Sequence, residues 1–220
     1  MSKIKQLSLS DLVYNQIKQQ ILNGDLKAGD RVAEEDFAAE YGVSRTPIRE
    51  ALKKLTEYGL ITIVPRSHAI VNSISIKEAQ DIAKIRVALE QFAVDNFSKE
   101  TLIDKVDKLK ELDKACLIAL ELKDKAKIFE NDSLFHSTLV EATDNTVLID
   151  LFHRLDSKVQ LLRLEQAATI EELGKYLNQH KDIINFISND EIELAKELLK
   201  KHIMHDLTSH IDSDSIDINL

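Results

Sequence analysis

Apolar positions recur every three to four residues through most of this 220-residue chain. Leu12, Ile17, Ile21 and Leu22 mark one face of a helix over 11–23. The stretch NGDLKAGDR reads as a Gly-punctuated loop, and Glu34 to Tyr41 as a short second helix. Ile48, Leu52, Leu55 and Leu60 then form a stripe at helical spacing within YGVSRTPIREALKKLTEYGLI. The period changes at LITIVP and AIVNSI, two short strands flanking Arg66-Ser67-His68. Near 73–76 the helical period returns and persists, with candidates at about 77–98, 101–122, 125–143, 145–167, 170–188 and 190–210. The long second part has no heptad repeat and no internal duplication.

Turn chemistry agrees with this division. Both prolines, and all the glycines except Gly174, fall within the first 65 residues. Gly42 suits a tight turn because it accepts positive φ without a Cβ clash. Ser44 or Thr46 can cap the helix that follows, and Pro47 occupies its first turn, where a missing N–H costs little. Arg45 and Arg49 lie on the first turn and a half, where a recognition helix presents side chains to base edges and phosphates. Three helices and a hairpin wing make a winged helix-turn-helix over 1–75. An all-α bundle of six to seven helices follows over 76–212, and 213–220 is a frayed polar tail. The expected fold class is therefore mainly α.

Charge sharpens the division. The net charge of −9 looks wrong for a nucleic-acid binder. Yet residues 1–75 hold ten Lys/Arg and nine Asp/Glu, whereas the remainder holds nineteen and twenty-nine. The acidity belongs to the second part, and local placement of cations is what matters for DNA. A single cysteine, Cys116 within ACLIAL, excludes an internal disulfide framework and reads as a buried thiol. No apolar run has the length of a membrane span, and MSKIKQLSLSDLVYNQ lacks the apolar core of a signal peptide, so the expected location is the cytoplasm.

The segment ILNGDLKAGDRVAEEDFAAEYGVSRTPIREALKKLTEYGLITIVP resembles the DNA-binding domain of GntR-family bacterial transcriptional regulators. The remainder is similar to the FCD form of the FadR-subfamily sensor domain. That likeness is carried by IRVALE at 85–90, NDSLFH at 131–136, His180, and an Ala with a His seven residues later, ending at His202. The resemblance implies a homodimeric regulator of palindromic operator DNA, responsive to a small carboxylate effector. Its DNA-contacting positions fall on Ser44, Arg45, Thr46 and Arg49, with Arg45 and Arg49 able to fork onto guanine. On residues alone, Arg49 is equally at home in an ion pair with a carboxylate of its own helix. The wing departs from the family's usual glycine tip: here Arg66, Ser67 and His68 are the candidate contacts, with Arg66 suited to a narrow minor groove.

The resemblance further implies Asp132, His136, His180 and His202 as ligands of a divalent transition metal. Asp132 and His136 stand i,i+4 on one helix face, with the other two on later helices. Three imidazoles and a carboxylate suit Zn, Ni, Co or Mn. His205 and His210 share the last helix with His202 and are alternatives on spacing alone. Arg86 and Asn145 are the effector-binding candidates. Arg86 reads either as a cavity anchor for a carboxylate or as the partner of Glu90 in a surface pair, and Asn145 as a cavity group or a helix cap. The expectation is a regulator that is not an enzyme. A metal-dependent hydrolase fused to a DNA-binding head is the rival, since such a ligand set can activate water. A direct metal sensor and a purely structural metal remain alternatives.

Overall fold

Ser8 opens the first helix with a capping box. Its hydroxyl accepts from the Asp11 amide at 3.1 Å, and the Asp11 side chain accepts from the Ser8 backbone. A computed structural model describes residues 8–65, 68–165 and 168–208, and within it the chain divides into two units between Ile74 and Ser75. Helix α1 (Leu9–Leu22) buries Val13, Tyr14, Ile17 and Ile21 against α3 (Arg45–Glu57), which contributes Ile48, Ala51, Leu52 and Leu55. Lys54 of α3 reaches Asp11 of α1 at 3.0 Å and lies over the Tyr14 ring.

Helix α2 (Glu34–Tyr41) is stopped by Gly42, whose φ of 64° places it in the left-handed region. Ser44 then takes the extended geometry of an N-cap, although its hydroxyl makes no capping hydrogen bond. With the apolar stripe of α3 facing inward, Arg45, Thr46 and Arg49 face solvent. Strands β2 (Ile61–Ile63) and β3 (Ala69–Val71) pair antiparallel, Ile61 opposite Val71. A third strand, β1 (Arg31–Val32), joins the far edge of β3 with Arg31 opposite Ile70, giving the order β1-β3-β2. The Gly-punctuated loop expected over NGDLKAGDR ends at Arg31, and Val32 has no element assigned by pattern. Two residues carry no period, and only the full burial of Val32 reveals the pairing.

The second unit holds seven helices among the described residues: α4 (Ile76–Asp95), α5 (Lys99–Glu121), α6 (Lys125–Glu141), α7 (Thr146–Glu165), α8 (Ile170–Leu177), α9 (His180–Ser188) and α10 (Ile192–Thr208). Ser75, Ser98, Asp124 and Thr169 cap α4, α5, α6 and α8 through their side chains. Helix α5 packs on α6, and α4 on α10. The apolar run expected as one helix over 170–188 is broken in two. The Asn178 amide donates to the Gly174 carbonyl at 2.7 Å, and the Gln179 N–H to the Tyr176 carbonyl at 2.9 Å. A polar pair in the middle of an apolar period ends the helix through local bonds that periodicity does not register. Among the described residues no helix is long and apolar enough to cross a membrane.

At Gly42 nothing lies within 4 Å of where a Cβ would stand, so a substitution there meets backbone strain alone. Gly42→Ala is expected to destabilise the first unit by about 1 kcal/mol, with Gly42→Asn costing less. Amide exchange rates across residues 8–65 measure it, and unchanged protection would contradict this account of the turn.

Candidate metal and DNA-contact sites

Three helices converge on one buried point in the second unit. Helix α6 supplies Asp132 and His136, α9 supplies His180 as its first residue, and α10 supplies His202. All four are fully buried, and a ligand atom from each lies within 4.8 Å of the others. The His136 and His202 Nε2 atoms are 2.9 Å apart. The His180 Nε2 is 3.1 Å from Asp132 Oδ1, with the His136 and His202 Nε2 atoms at 3.7 and 3.9 Å from it. Ligand atoms sharing one ion at about 2.0–2.1 Å from each lie no more than about 4.2 Å apart, so the separations of 2.9 to 3.9 Å fit and the widest pair, within 4.8 Å, closes by a few tenths of an ångström on binding.

The surroundings fix how each imidazole presents itself. The His202 Nδ1 stands 3.1 Å from the Tyr176 carbonyl, which only accepts, so Nδ1 carries the proton and the Nε2 lone pair faces the cluster. The His136 Nδ1 lies 2.5 Å from Glu90 Oε2, and with Glu90 as carboxylate the same tautomer follows. With Glu90 ionised, two lone pairs face each other at 2.9 Å, an arrangement that a shared cation resolves; with Glu90 protonated, the His136 Nε2–H donates to His202 instead. The His180 ring is stacked on Phe135 with centroids 3.9 Å apart. Its Nε2 and Asp132 Oδ1 are both buried without a hydrogen-bond partner, as donor atoms awaiting an ion would be. His205, the alternative on spacing, is exposed and faces the Tyr176 ring; His210 lies outside the described residues.

Two buried arginines and two further carboxylates pack around this set. The Arg86 Nε donates to Glu90 at 2.8 Å, and its Nη1 lies 3.5 Å from Asp206 Oδ2. Arg163 Nη2 donates to Asp132 Oδ2 and, at 2.5 Å, to Asp206 Oδ2. Arg86 Nη2 and the Nε and Nη1 of Arg163 are buried with no hydrogen-bond partner. The Arg86–Glu90 pair is therefore an interior one, not the surface pair that i,i+4 spacing also allowed. Asn145 is exposed, and its side chain accepts from Val147 N and Leu148 N at 3.1 Å each, so it is spent on capping α7 and is not turned into the cluster. Asp206 and Tyr176 escaped the sequence reading, although Asp206 stands i,i+4 from His202 on the same helix face.

The protonation states follow from burial and these neighbours. Burial alone would raise Asp132, yet Arg163, then His136 and His180, hold it well below the carboxylate range. Burial lowers His136 and His202 well below the ordinary histidine range, assisted by Arg86 for the first and by the other two imidazoles for the second. Burial pushes Glu90 up to about 7 against the pull of Arg86, and drives the Cys116 thiol up. Neutral imidazoles and an ionised Asp132 are the forms in which these groups bind metal.

In the first unit, Arg45, Thr46 and Arg49 share the exposed face of α3, with Ser44 at its head. Both arginines are engaged from α2. Arg49 grips Glu34 through Nε at 3.0 Å and Nη2 at 2.7 Å, and Arg45 Nη2 meets Glu35 at 2.8 Å. The partner of Arg49 thus comes from the preceding helix and not from its own. His68 stands at the foot of β3 beside this face; Arg66 and Ser67 lie outside the described residues.

Residues 9–71 match the model for bacterial regulatory proteins of the gntR family, and residues 81–205 match the FCD domain. The chain is 32% identical over 197 residues to the helix-turn-helix transcriptional regulator YdhC of Bacillus subtilis (strain 168), covering 88% of this chain and 87% of that protein. It is 26% identical to the gluconate operon transcriptional repressor of Bacillus licheniformis, over 85% and 79% of the two chains. The solved structure of E. coli McbR/YncC shares the fold at a TM-score of 0.79 and 23% identity, covering 93% of this chain and 97% of that one.

In the unfolded chain His136 and His202 titrate near 6.5 and Glu90 near 4.5. Below 6.5 the unfolded chain gains two protons that the folded imidazoles refuse, while folded Glu90, titrating at about 7, holds one that the unfolded chain does not. The unfolded state therefore binds about one proton more in this window, and stability falls with acid. Urea denaturation of the chelated protein should show a loss of roughly 1 kcal/mol per pH unit between about pH 6.5 and 4.5. A flat or rising profile would contradict the protonation states assigned to the cluster.

Proposed function

The chain belongs to the gntR family of bacterial regulatory proteins and joins its DNA-binding unit to an FCD domain; from that premise we propose that its operator binding is controlled by a small organic acid held at a metal site. Asp132, His136, His180 and His202 would hold a divalent transition metal, Zn, Ni, Co or Mn by their donor chemistry. The observation that carries the reading is the convergence of four buried ligand atoms within 4.8 Å, with the His136 and His202 Nε2 atoms 2.9 Å apart and Asp132 Oδ1 3.1 Å from His180 Nε2. When bound, the ion supplies a Lewis-acidic position for an effector oxygen.

The chain's own residues do the rest. Glu90 and the Tyr176 carbonyl orient His136 and His202, and Phe135 holds the His180 ring. Arg86 and Arg163 keep N–H groups free for a carboxylate. With all five ionised, these two cations and the anions Glu90, Asp132 and Asp206 leave one negative charge in excess. A divalent ion more than offsets it, and a carboxylate then restores neutrality within a low-dielectric interior. Arg86 and Glu90 sit on α4, the helix joined directly to the DNA-binding unit, so a ligand that re-pairs Arg86 acts on the element leading to the DNA contacts. An effector shifts operator affinity only as far as it binds the two states differently.

On DNA, Arg45, Thr46 and Arg49 read bases and phosphates from the major groove, with Ser44 at the head of their helix; Arg66, Ser67 and His68 are the wing candidates. Relatives named as repressors favour repression here. A homodimer is supported by the unburied apolar side chains Ile85 and Phe92 on α4 and Val147 and Leu151 on α7, two helices packed together.

Selection from random DNA with the purified protein should enrich a short palindrome, and recovery of no common sequence would refute the operator reading. The double substitution Ile85→Glu, Leu151→Glu should convert dimers to monomers in light scattering. The wild type should carry about one transition metal per chain and His136→Ala close to none, by elemental analysis. Small carboxylates should change operator affinity roughly tenfold in the first protein and not in the second. Operator binding that follows metal concentration without an acid would make the ion itself the signal. Unfolding on chelation alone would make it structural, and turnover lost in His136→Ala would restore the hydrolase.

A further inference from the structure

We infer that the two carboxylates opening α2, Glu34 and Glu35, determine how selectively α3 reads DNA, by holding its arginines. The inference rests on α3 being the recognition helix. An arginine offers two edges for forked hydrogen bonding, one through Nε and one Nη, the other through both Nη atoms. Glu34 occupies the first edge of Arg49, with Nε–Oε1 at 3.0 Å and Nη2–Oε2 at 2.7 Å. The edge left over is the one that forks onto guanine O6 and N7. Glu34 is only 31% exposed whereas Arg49 is 69% exposed, so the anchored partner fixes the plane of the mobile one. A long side chain fixed beforehand loses less rotamer freedom when it meets its base.

Glu35 makes a looser contact, one bond of 2.8 Å from Arg45 Nη2, with both side chains more than half exposed. Its effect is on charge. Non-specific DNA binding comes almost entirely from cations meeting phosphates, and an arginine already paired with a carboxylate offers the backbone no net charge. A carboxylate in the groove also faces the acceptors O6, N7 and O4 unfavourably, and is welcome only near a cytosine amino group. Both glutamates therefore weaken indiscriminate binding more than matched binding.

The position of these acids has its own cause. Helix α2 begins at Ala33 without a side-chain cap, and its first turn carries Glu34, Glu35 and Asp36, where free N–H groups and the helix dipole favour negative charge. From there Glu34 and Glu35 project into a groove of about 390 Å³ whose rim also holds Arg31, Arg45, Arg49 and His68. Exposed ion pairs contribute little to stability, so removing the carboxylates tests recognition and not folding.

The experiment uses the full chain. A sequence selected by the wild type, and a scrambled duplex of equal length, are titrated with wild type, Glu34→Gln, Glu35→Gln, Arg49→Lys and Glu34→Gln/Arg49→Lys across a salt series. Glu34→Gln is expected to lower the ratio of selected to scrambled affinity about tenfold, the scale of one forked base contact. That effect should vanish in the Arg49→Lys background, because lysine cannot fork. Glu35→Gln is expected to tighten the scrambled complex several-fold and steepen the logarithmic salt slope by about one. Ratios unchanged within twofold would overturn the inference, as would equal weakening of both duplexes or a Glu34→Gln effect that persists beside Arg49→Lys. A wild type that selects no sequence overturns the recognition-helix reading itself, a result distinct from these.

Discussion

Five ionisable side chains buried at one point govern how the second unit is put together. Arg86, Glu90, Asp132, Arg163 and Asp206 are each at most a few per cent exposed and come from α4, α6, α7 and α10. An isolated charge in such a place is prohibitively unfavourable, so each must meet its counterpart at hydrogen-bonding distance. That requirement fixes the separation and register of four helices more tightly than their apolar stripes do. Leucines and isoleucines tolerate sliding and repacking, whereas Arg163 reaches both Asp132 and Asp206 from only one position. His136 and His202 then fall into place as passengers of helices already set, and His180 joins them from α9.

The two units solve opposite electrostatic problems. At the centre of the helical unit, charge is hidden and pairs are enclosed, so each lost partner is costly. On α3 the pairs lie in water, where they hold direction but add little stability. A regulator benefits from both regimes. Under the proposed function, the enclosed cluster would distinguish ligand states, and the exposed arginines would exchange a carboxylate for a base edge at small cost.

Much of this was legible in the sequence, for reasons that differ by residue. The recognition helix was readable because Gly42, Pro47 and the Ile48–Leu52–Leu55 stripe give independent signals for the same boundaries. Asp132 and His136 were readable as a pair because helical spacing places them on one face. His180 and His202 were not readable from spacing alone, and the family resemblance singled them out. Three features had no usable signal. The two-residue β1 is too short to have a period, and the break at Asn178–Gln179 depends on side-chain bonds inside an apolar run. The grip of Glu34 on Arg49 spans fifteen residues and two helices, which no local pattern encodes. Asn145 shows the converse: a polar residue at a helix start is first of all a cap.

The break between α8 and α9 has a consequence for how such a site drifts over generations. His202 takes its tautomer from the backbone oxygen of Tyr176, whereas His136 takes its own from the side chain of Glu90. A backbone oxygen persists through almost every point substitution, so the His202 side of the site is insulated from mutation as long as the kink remains. The Glu90 side is one codon change away from a different basicity at His136. Diversification of ligand preference within such a scaffold therefore has one adjustable wall and one that is held constant by the chain itself.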